Sequence, residues 1–339
     1  MSLPTPVADE INNLLNERLS MITTAVPHPM LPVDQPMIRT KAILKPLTSP
    51  IASGQLSVIE KSKQLAAWTA VDQHIKPEHR VIGIGSGSTV PYVVERIVSQ
   101  GAAANQDRVF IPTGFQSKEL IVSSGLMLGD VDQYPTIDVT LDGADEVDLE
   151  LNCIKGGGAC HLREKVIAEA ANTFVLVADY RKNVEYLGTN FKAGVPIEVV
   201  PFAYAKVLQN LHHVLGSPNA TLRMAVAKAG PVVTDNGNFV IDAPFDREIM
   251  AKPYTIMAQI KMLTGVVEVG LFCHMARAAY FGNKASPTPS SLDPINTRSI
   301  KLGWKCNNQM ERWQERGTVT KKGRVRPQAM VFGRVLKII

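Results

Sequence analysis

Apolar positions first gather into a helical pattern between Ser57 and Ile75, where Ile59, Leu65, Ala66, Trp68, Ala70 and Val71 suit a helix with one buried face. The run Arg80-Val-Ile-Gly-Ile84 is short and continuous, which predicts a buried strand entering a glycine turn, and Val90 to Gln100 follows as a second helix. Further apolar runs recur at Arg108-Val-Phe-Ile-Pro112, Ile137-Asp-Val-Thr-Leu141 and Thr173-Phe-Val-Leu-Val-Ala178, each separated by a helix-compatible segment. Alternation of this kind implies an α/β fold, a Rossmann-like, mostly parallel sheet with helices on both faces. In such sheets ligands bind beyond the carboxyl ends of the strands. Here those ends are Gly83 to Thr89, Pro112 to Ser117, Asp142 to Asp145 and Ala178 to Lys182.

After Val195-Pro-Ile-Glu-Val-Val200 the pattern changes. A helix (Tyr204 to Leu215), strands around Gly230 to Ile241 with the turn signal Asp235-Asn-Gly-Asn238, another helix and a strand Val266 to Phe272 suggest a smaller α+β, ferredoxin-like domain. Upstream, Pro27, Pro29, Pro32, Pro36, Pro46 and Pro50 interrupt any long helix. The chain therefore divides into an irregular extension (1–55), a catalytic domain (56–190) completed by about 268–283, the small domain (191–267), and a tail (284–339). Ser286-Pro-Thr-Pro-Ser-Ser-Leu-Asp-Pro294 reads as a linker into that tail, which is expected to be disordered and separate from the catalytic fold.

The 339 residues, 45% of them hydrophobic, suffice for about two cored domains. The net charge of +5 is uneven: from Lys284 to Ile339, 12 Lys/Arg face 3 Asp/Glu, leaving the body slightly acidic. Nucleic acid is thus not an expected partner of the core, and an RNA-binding role for the tail with Trp304 and Trp313 is the weaker alternative. No apolar stretch approaches the roughly 18 residues of a membrane span. Cys153, Cys160, Cys273 and Cys306 form no CxxC pair, so neither a zinc site nor a disulfide framework is indicated, and a reducing, cytoplasmic setting fits. Asp9, Glu10, Glu17 and Asp34 count against an organelle address despite nearby basic residues.

Chemistry concentrates between Asp142 and Glu164. Gly83-Ile-Gly-Ser-Gly-Ser-Thr89 is a strand-to-helix turn able to present backbone N–H groups and the hydroxyls of Ser86, Ser88 and Thr89 to a phosphate, or simply a structural turn. Ser88 occupies the third glycine position of a dinucleotide fingerprint, and there is no Walker lysine. Asp142-Gly-Ala-Asp145 is either an Asp-capped turn or a carboxylate pair. Lys155-Gly-Gly-Gly158 is either a flexible link or an oxyanion nest leading into the helix Leu162 to Ala171, with Glu164 in its first turn. Together, two carboxylates, a lysine, a glycine triplet and a third carboxylate suit enolisation of a small phosphorylated sugar. His161 lacks a partner in metal-ligand spacing, His212-His213 read as fillers, and no Gly-x-Ser-x-Gly elbow is present.

Gly83-Ile-Gly-Ser-Gly-Ser-Thr89, Asp142-Gly-Ala-Asp-Glu146, Lys155-Gly-Gly-Gly-Ala159 with Arg163-Glu-Lys165, and Val233-Thr-Asp-Asn-Gly-Asn238 closely resemble ribose-5-phosphate isomerases of the A type. Ile111-Pro-Thr-Gly-Phe-Gln-Ser117 and Gly265-Val-Val-Glu-Val-Gly-Leu-Phe272 look like the fungal branch. The resemblance runs from about Ser57 to Asn283 and implies interconversion of D-ribose 5-phosphate and D-ribulose 5-phosphate in the non-oxidative pentose phosphate pathway, without metal or organic cofactor. It implies Glu164 as the base, Lys155 with the Gly156, Gly157 and Gly158 backbone as the oxyanion site, and Asp142 and Asp145 as holders of the open-chain sugar. Gly143 and Ala144 fall in the same segment, Ser86, Gly87, Ser88 and Thr89 in the substrate-binding turn, and Lys182 matches a further ligand-binding lysine. A homo-oligomer is expected. The alternatives are a sugar-phosphate-sensing regulator without catalysis, which the presence of Glu164 and Lys155 disfavours, or another sugar-phosphate or acyl-transfer enzyme of the same fold group.

Overall fold

A computed structural model describes residues 56–282 and the backbone of 298–301; the extension expected over 1–55 lies outside the described residues. The first helix, α1 (Val58–His74), begins where Ser57 Oγ accepts the Glu60 N–H at 3.2 Å, a side-chain cap, and it buries Ala66, Ala67, Ala70 and Val71. The chain continues through β1 (Val81–Ile84), α2 (Val90–Ser99), β2 (Val109–Pro112), α3 (Phe115–Ser123) and β3 (Ile137–Asp142). Two short strands, β4 (Glu146–Val147) and β5 (Cys153–Ile154), precede α4 (His161–Ala170) and the long β6 (Ala171–Asp179). Next come β7 (Val195–Val199), α5 (Tyr204–His213), β8 (Thr221–Leu222), β9 (Phe239–Ala243), α6 (Pro253–Lys261) and β10 (Val266–Val269). The last elements are β11 (Leu271–Phe272), β12 (Ala278–Gly282) and β13 (Arg298–Lys301).

The main sheet has the order β13-β12-β6-β3-β1-β2, parallel throughout except for β13. Alternate side chains of β6 enter opposite layers. Val175 and Val177 pack with Ala66, Val93 and Ile97 from α1 and α2, whereas Phe174, Leu176 and Ala178 share a cluster with Ala168 of α4. Burial on both faces explains why this strand is a continuous apolar run instead of an alternating one. The parallel direction also brings the ends of β1, β3 and β6 to one edge of the sheet.

A second, antiparallel sheet has the order β10-β7-β9-β8, and Val207 and Leu211 of α5 and Ile256 and Ile260 of α6 complete its core. A three-stranded sheet, β11-β5-β4, carries the segment between Asp142 and Lys155. The parallel sheet flanked by helices, with separate antiparallel structure, agrees with the fold class expected from the sequence.

Three local expectations are corrected. The strand expected over Val266 to Phe272 is broken at Gly270, whose N–H donates to Pro196 O at 2.7 Å while its carbonyl accepts Lys155 N–H at 2.9 Å, so its two halves join different sheets. Of the strands expected around Gly230 to Ile241, only β9 is regular. The residues before it make isolated bridges, Met224 to Pro231 and Val233 to Phe239. Arg298–Lys301, expected in the tail outside the fold, runs antiparallel to β12, with Phe281 opposite Arg298 and Ala278 opposite Lys301. Strand pairing uses backbone groups at an open sheet edge, which the charge of a segment does not reveal. The rest of that tail lies outside the described residues. Among the described residues no helix is long and apolar enough to cross a membrane.

Candidate active site

Segments from five places in the chain converge at the carboxyl edge of the parallel sheet. Asp142, the last residue of β3, turns its carboxylate beneath the turn that follows β1, and Oδ1 accepts the N–H groups of Ser86 at 2.9 Å and Gly143 at 2.7 Å. This approach requires glycine at position 85, where a Cβ would lie 2.0 Å from Asp142 Oδ1. Ser86 Oγ lies 2.7 Å from Thr113 Oγ1, and Gln116 Oε1 accepts the Gly87 N–H at 2.8 Å. The Ser86 and Gly87 N–H groups of this turn are therefore taken up by the protein. Ser86, Gly87, Ser88 and Thr89 still form one wall of the cleft.

The opposite wall is built around Lys155, which follows β5. Its Nζ donates to Gly143 O at 2.5 Å and lies 2.9 Å from Asp142 Oδ2 and 3.2 Å from Glu164 Oε1. All three side chains are buried, with Asp142 fully enclosed behind the lysine. Gly156 has φ 101°, and a Cβ there would meet His161 Nδ1 at 2.6 Å. The Gly157 N–H donates to Asp145 Oδ2 at 2.7 Å. Gly158, Gly143 and Ala144 complete this side of the cleft, and Asp179 and Lys182 enter from the end of β6. Every site residue expected from sequence thus lies in or directly against one cleft, Asp142 alone being behind its surface. The cleft encloses about 110 Å³, the scale of a small molecule.

Electrostatics set the chemistry. Burial pushes Glu164 up to about 8; Lys155 opposes the rise and Asp142 adds to it. Asp142 is raised for the same first reason, burial, again against Lys155. Burial works against the ammonium of Lys155, but Asp142 and Glu164 outweigh it and hold the group firmly protonated. Two carboxylates therefore share one ammonium, and the one nearer the cleft has an enhanced affinity for a proton. A base next to a fixed cation can take a proton from carbon while the cation faces the oxygen that becomes negative.

Other contacts were not assigned a role from sequence. Lys155 Nζ lies 5.7 Å from the centre of the buried Phe272 ring, which helps keep water from the cluster. Arg163 Nε donates to Asn236 Oδ1 at 2.9 Å and Nη2 to Asp235 O at 3.3 Å, bracing the helix turn that carries Glu164. The turn it grips is folded around buried Glu198, whose Oε1 accepts from Thr234 Oγ1, Asn236 Nδ2 and Asn238 Nδ2 at 2.9 to 3.0 Å. The Thr234 to Asn238 motif is accordingly a brace. Asp179 had a signal in its place at a strand end and Arg163 in the Arg163-Glu-Lys165 motif, but the contacts of Arg163, 72 and 73 residues away, and of Phe272 with Lys155 are made only by the fold. His161 does not line the cleft; burial pushes it down to about 3, so it stays neutral beneath Gly156. Among the described residues no group of three or more His, Cys, Asp or Glu side chains could hold a metal ion.

Comparison with known proteins gives a consistent picture. Residues 109–286 match the family model of ribose 5-phosphate isomerase A (phosphoriboisomerase A). A ribose-5-phosphate isomerase of Cryptococcus neoformans var. neoformans is 59% identical over 293 residues, covering 83% of this chain and 95% of that protein. The solved ribose 5-phosphate isomerase A of Methanocaldococcus jannaschii superposes with a TM-score of 0.62 at 33% identity, over 72% of this chain and 99% of that one. A D-ribose-5-phosphate isomerase solved in complex with phospho-erythronic acid gives 0.63 at 35% identity, over 72% and 99%. With the cleft, the buried Lys155 cluster and these matches in agreement, the chain belongs to the ribose 5-phosphate isomerase A family.

Proposed function

We propose that this chain interconverts D-ribose 5-phosphate and D-ribulose 5-phosphate, with Glu164 moving a proton between C2 and C1 through an enediolate. The observation that carries the assignment is the position of Glu164 Oε1, at the cleft and 3.2 Å from the Lys155 ammonium. When Glu164 takes the C2 proton it loses its charge and its hold on Lys155. Negative charge appears at that moment on the former carbonyl oxygen, and the ammonium turns to it without crossing the site. Return of the proton to C1, with transfer of the C2 hydroxyl proton to O1, gives the ketose. Asp145, which lines the cleft, serves the hydroxyl protons, whereas Asp142 acts through Lys155 and the Ser86 turn.

The hydroxyls of Ser86, Ser88 and Thr89, the start of α2 and Lys182 are assigned to the phosphate, where a helix N-terminus and a cation favour an anion. The relative bound to phospho-erythronic acid supports a linear, phosphorylated ligand in this cleft. Incubating the purified protein with ribose 5-phosphate and chelator tests the proposal: ribulose 5-phosphate should accumulate to equilibrium, and its absence would reject the assignment.

A cytoplasmic location is supported by Cys153, Cys160 and Cys273, which are free thiols. A homo-oligomer is also proposed, in which exposed apolar side chains such as Phe115, Val122 and Met127 would find cover. Sedimentation of the purified protein should give a mass of at least twice the 36.9 kDa chain.

A further inference from the structure

Arg223 follows β8 in the antiparallel sheet, yet its guanidinium ends on the catalytic loop. Nη1 donates to Gly156 O at 2.9 Å and to Gly157 O at 3.1 Å. Asp242 of β9 holds the other side of the fork, with Nε to Oδ2 at 2.8 Å and Nη2 paired to Oδ1. Both side chains are largely enclosed, at 15% and 16% exposure, so the geometry is fixed.

We infer that Arg223 is a positioning residue for the isomerisation, setting the orientation of the glycine loop from outside the cleft. In a planar trans peptide the carbonyl and the following N–H point in opposite directions. Anchoring the carbonyls of Gly156 and Gly157 on Arg223 therefore turns the N–H groups of Gly157 and Gly158 away from it. The Gly157 N–H accordingly reaches Asp145, which lines the cleft, and the Gly158 N–H is carried toward the same side. Three consecutive glycines have no side chains with which to hold this arrangement, and their backbone is free to take other ones. The Lys155 side chain is engaged by Gly143, Asp142 and Glu164 and cannot serve as the anchor. A planar fork grips two carbonyls and a carboxylate at once, which a lysine ammonium cannot reproduce.

The inference rests on the proposal that the glycine loop stabilises the enediolate, and two readouts separate them. Turnover and amide hydrogen exchange across 155–159 are measured for Arg223→Ala, Arg223→Lys and Asp242→Asn. In Arg223→Ala the loop amides should exchange faster, and kcat should fall about 10- to 100-fold with KM changed less than about threefold, as expected for a small misplacement of reacting groups. Millimolar guanidine should restore part of that turnover, Arg223→Lys should not, and Asp242→Asn should lie between. Unchanged exchange overturns the tie whatever kcat does. Faster exchange with unchanged kcat means that the loop does not stabilise charge, and the positioning role falls with it. A loss confined to KM assigns Arg223 to binding and also overturns the inference. If Arg223→Ala does not fold, the other two variants give the same readouts.

Discussion

Lys155 Nζ stands 3.2 Å from Glu164 Oε1, with both side chains shut away from solvent. Asp142, 2.9 Å from the same ammonium, leaves the cluster with more carboxylate than cation. The proton affinity of Glu164 is a property of this arrangement, and the expected pH behaviour follows from it.

The rate should rise with pH. The base must be unprotonated to act, and burial raises Glu164 to about 8, so kcat/KM should climb through an apparent pKa well above the usual glutamate value. That apparent value belongs to the coupled Glu164, Asp142 and Lys155 cluster. A profile already flat from pH 6 upward, with its limb near 4.5, would show that burial does not raise the base.

Removing Lys155 should act twice. Lys155→Ala loses the cation facing the developing oxyanion, and kcat should fall about 10²- to 10³-fold, the range for one such donor. Lys155 also lowers the Glu164 pKa, so the variant's pH limb should move further up. A change limited to KM would assign Lys155 to uniform binding.

Stability should show the opposite pH trend from activity. Because the folded Glu164 holds its proton more tightly than the unfolded one, its contribution is fully present below the unfolded pKa and is lost as pH rises through the folded value of about 8. Glu164→Gln stands in for the protonated acid and escapes this loss. Its Tm should match the parent near pH 5 and exceed it increasingly toward pH 9. A gap that does not widen with pH would mean that ionised Glu164 is well accommodated.

The glycines of the loop should not be equivalent. Gly156 has φ 101° and no room beside His161, whereas a Cβ at Gly158 meets nothing within 4 Å. Gly156→Ala should cost roughly 1–3 kcal/mol from the strained backbone, and more from the contact. Gly158→Ala should melt close to the parent. Similar Tm values for the two would remove the claim that Gly156 is required by the fold.

What was legible in the sequence was mostly local. The strand at Thr173 to Ala178 is a continuous apolar run because both its faces are covered, and the cluster from Asp142 to Glu164 is compressed into one stretch of chain. β4 and β5 are each two residues long, too short for any periodicity to register. Arg223 acts on partners 66 and 67 residues away and nothing in its immediate neighbours marks it, whereas Arg163 stands beside Glu164 in a recognisable motif but grips partners 72 and 73 residues away that the motif does not reveal. The tail misled for a related reason: a strand can be recruited by backbone pairing whatever its charge.

Glu164→Gln, assayed for turnover and for binding of ribose 5-phosphate by calorimetry, bears hardest on the assignment of the base. The amide preserves shape and can still accept from Lys155, but it cannot take a proton from carbon. Turnover should drop by about 10² to 10⁴, the usual range for an acid–base residue, while the dissociation constant stays within about threefold. Retention of more than about a tenth of parental turnover, far less than that range, would mean that another group moves the proton.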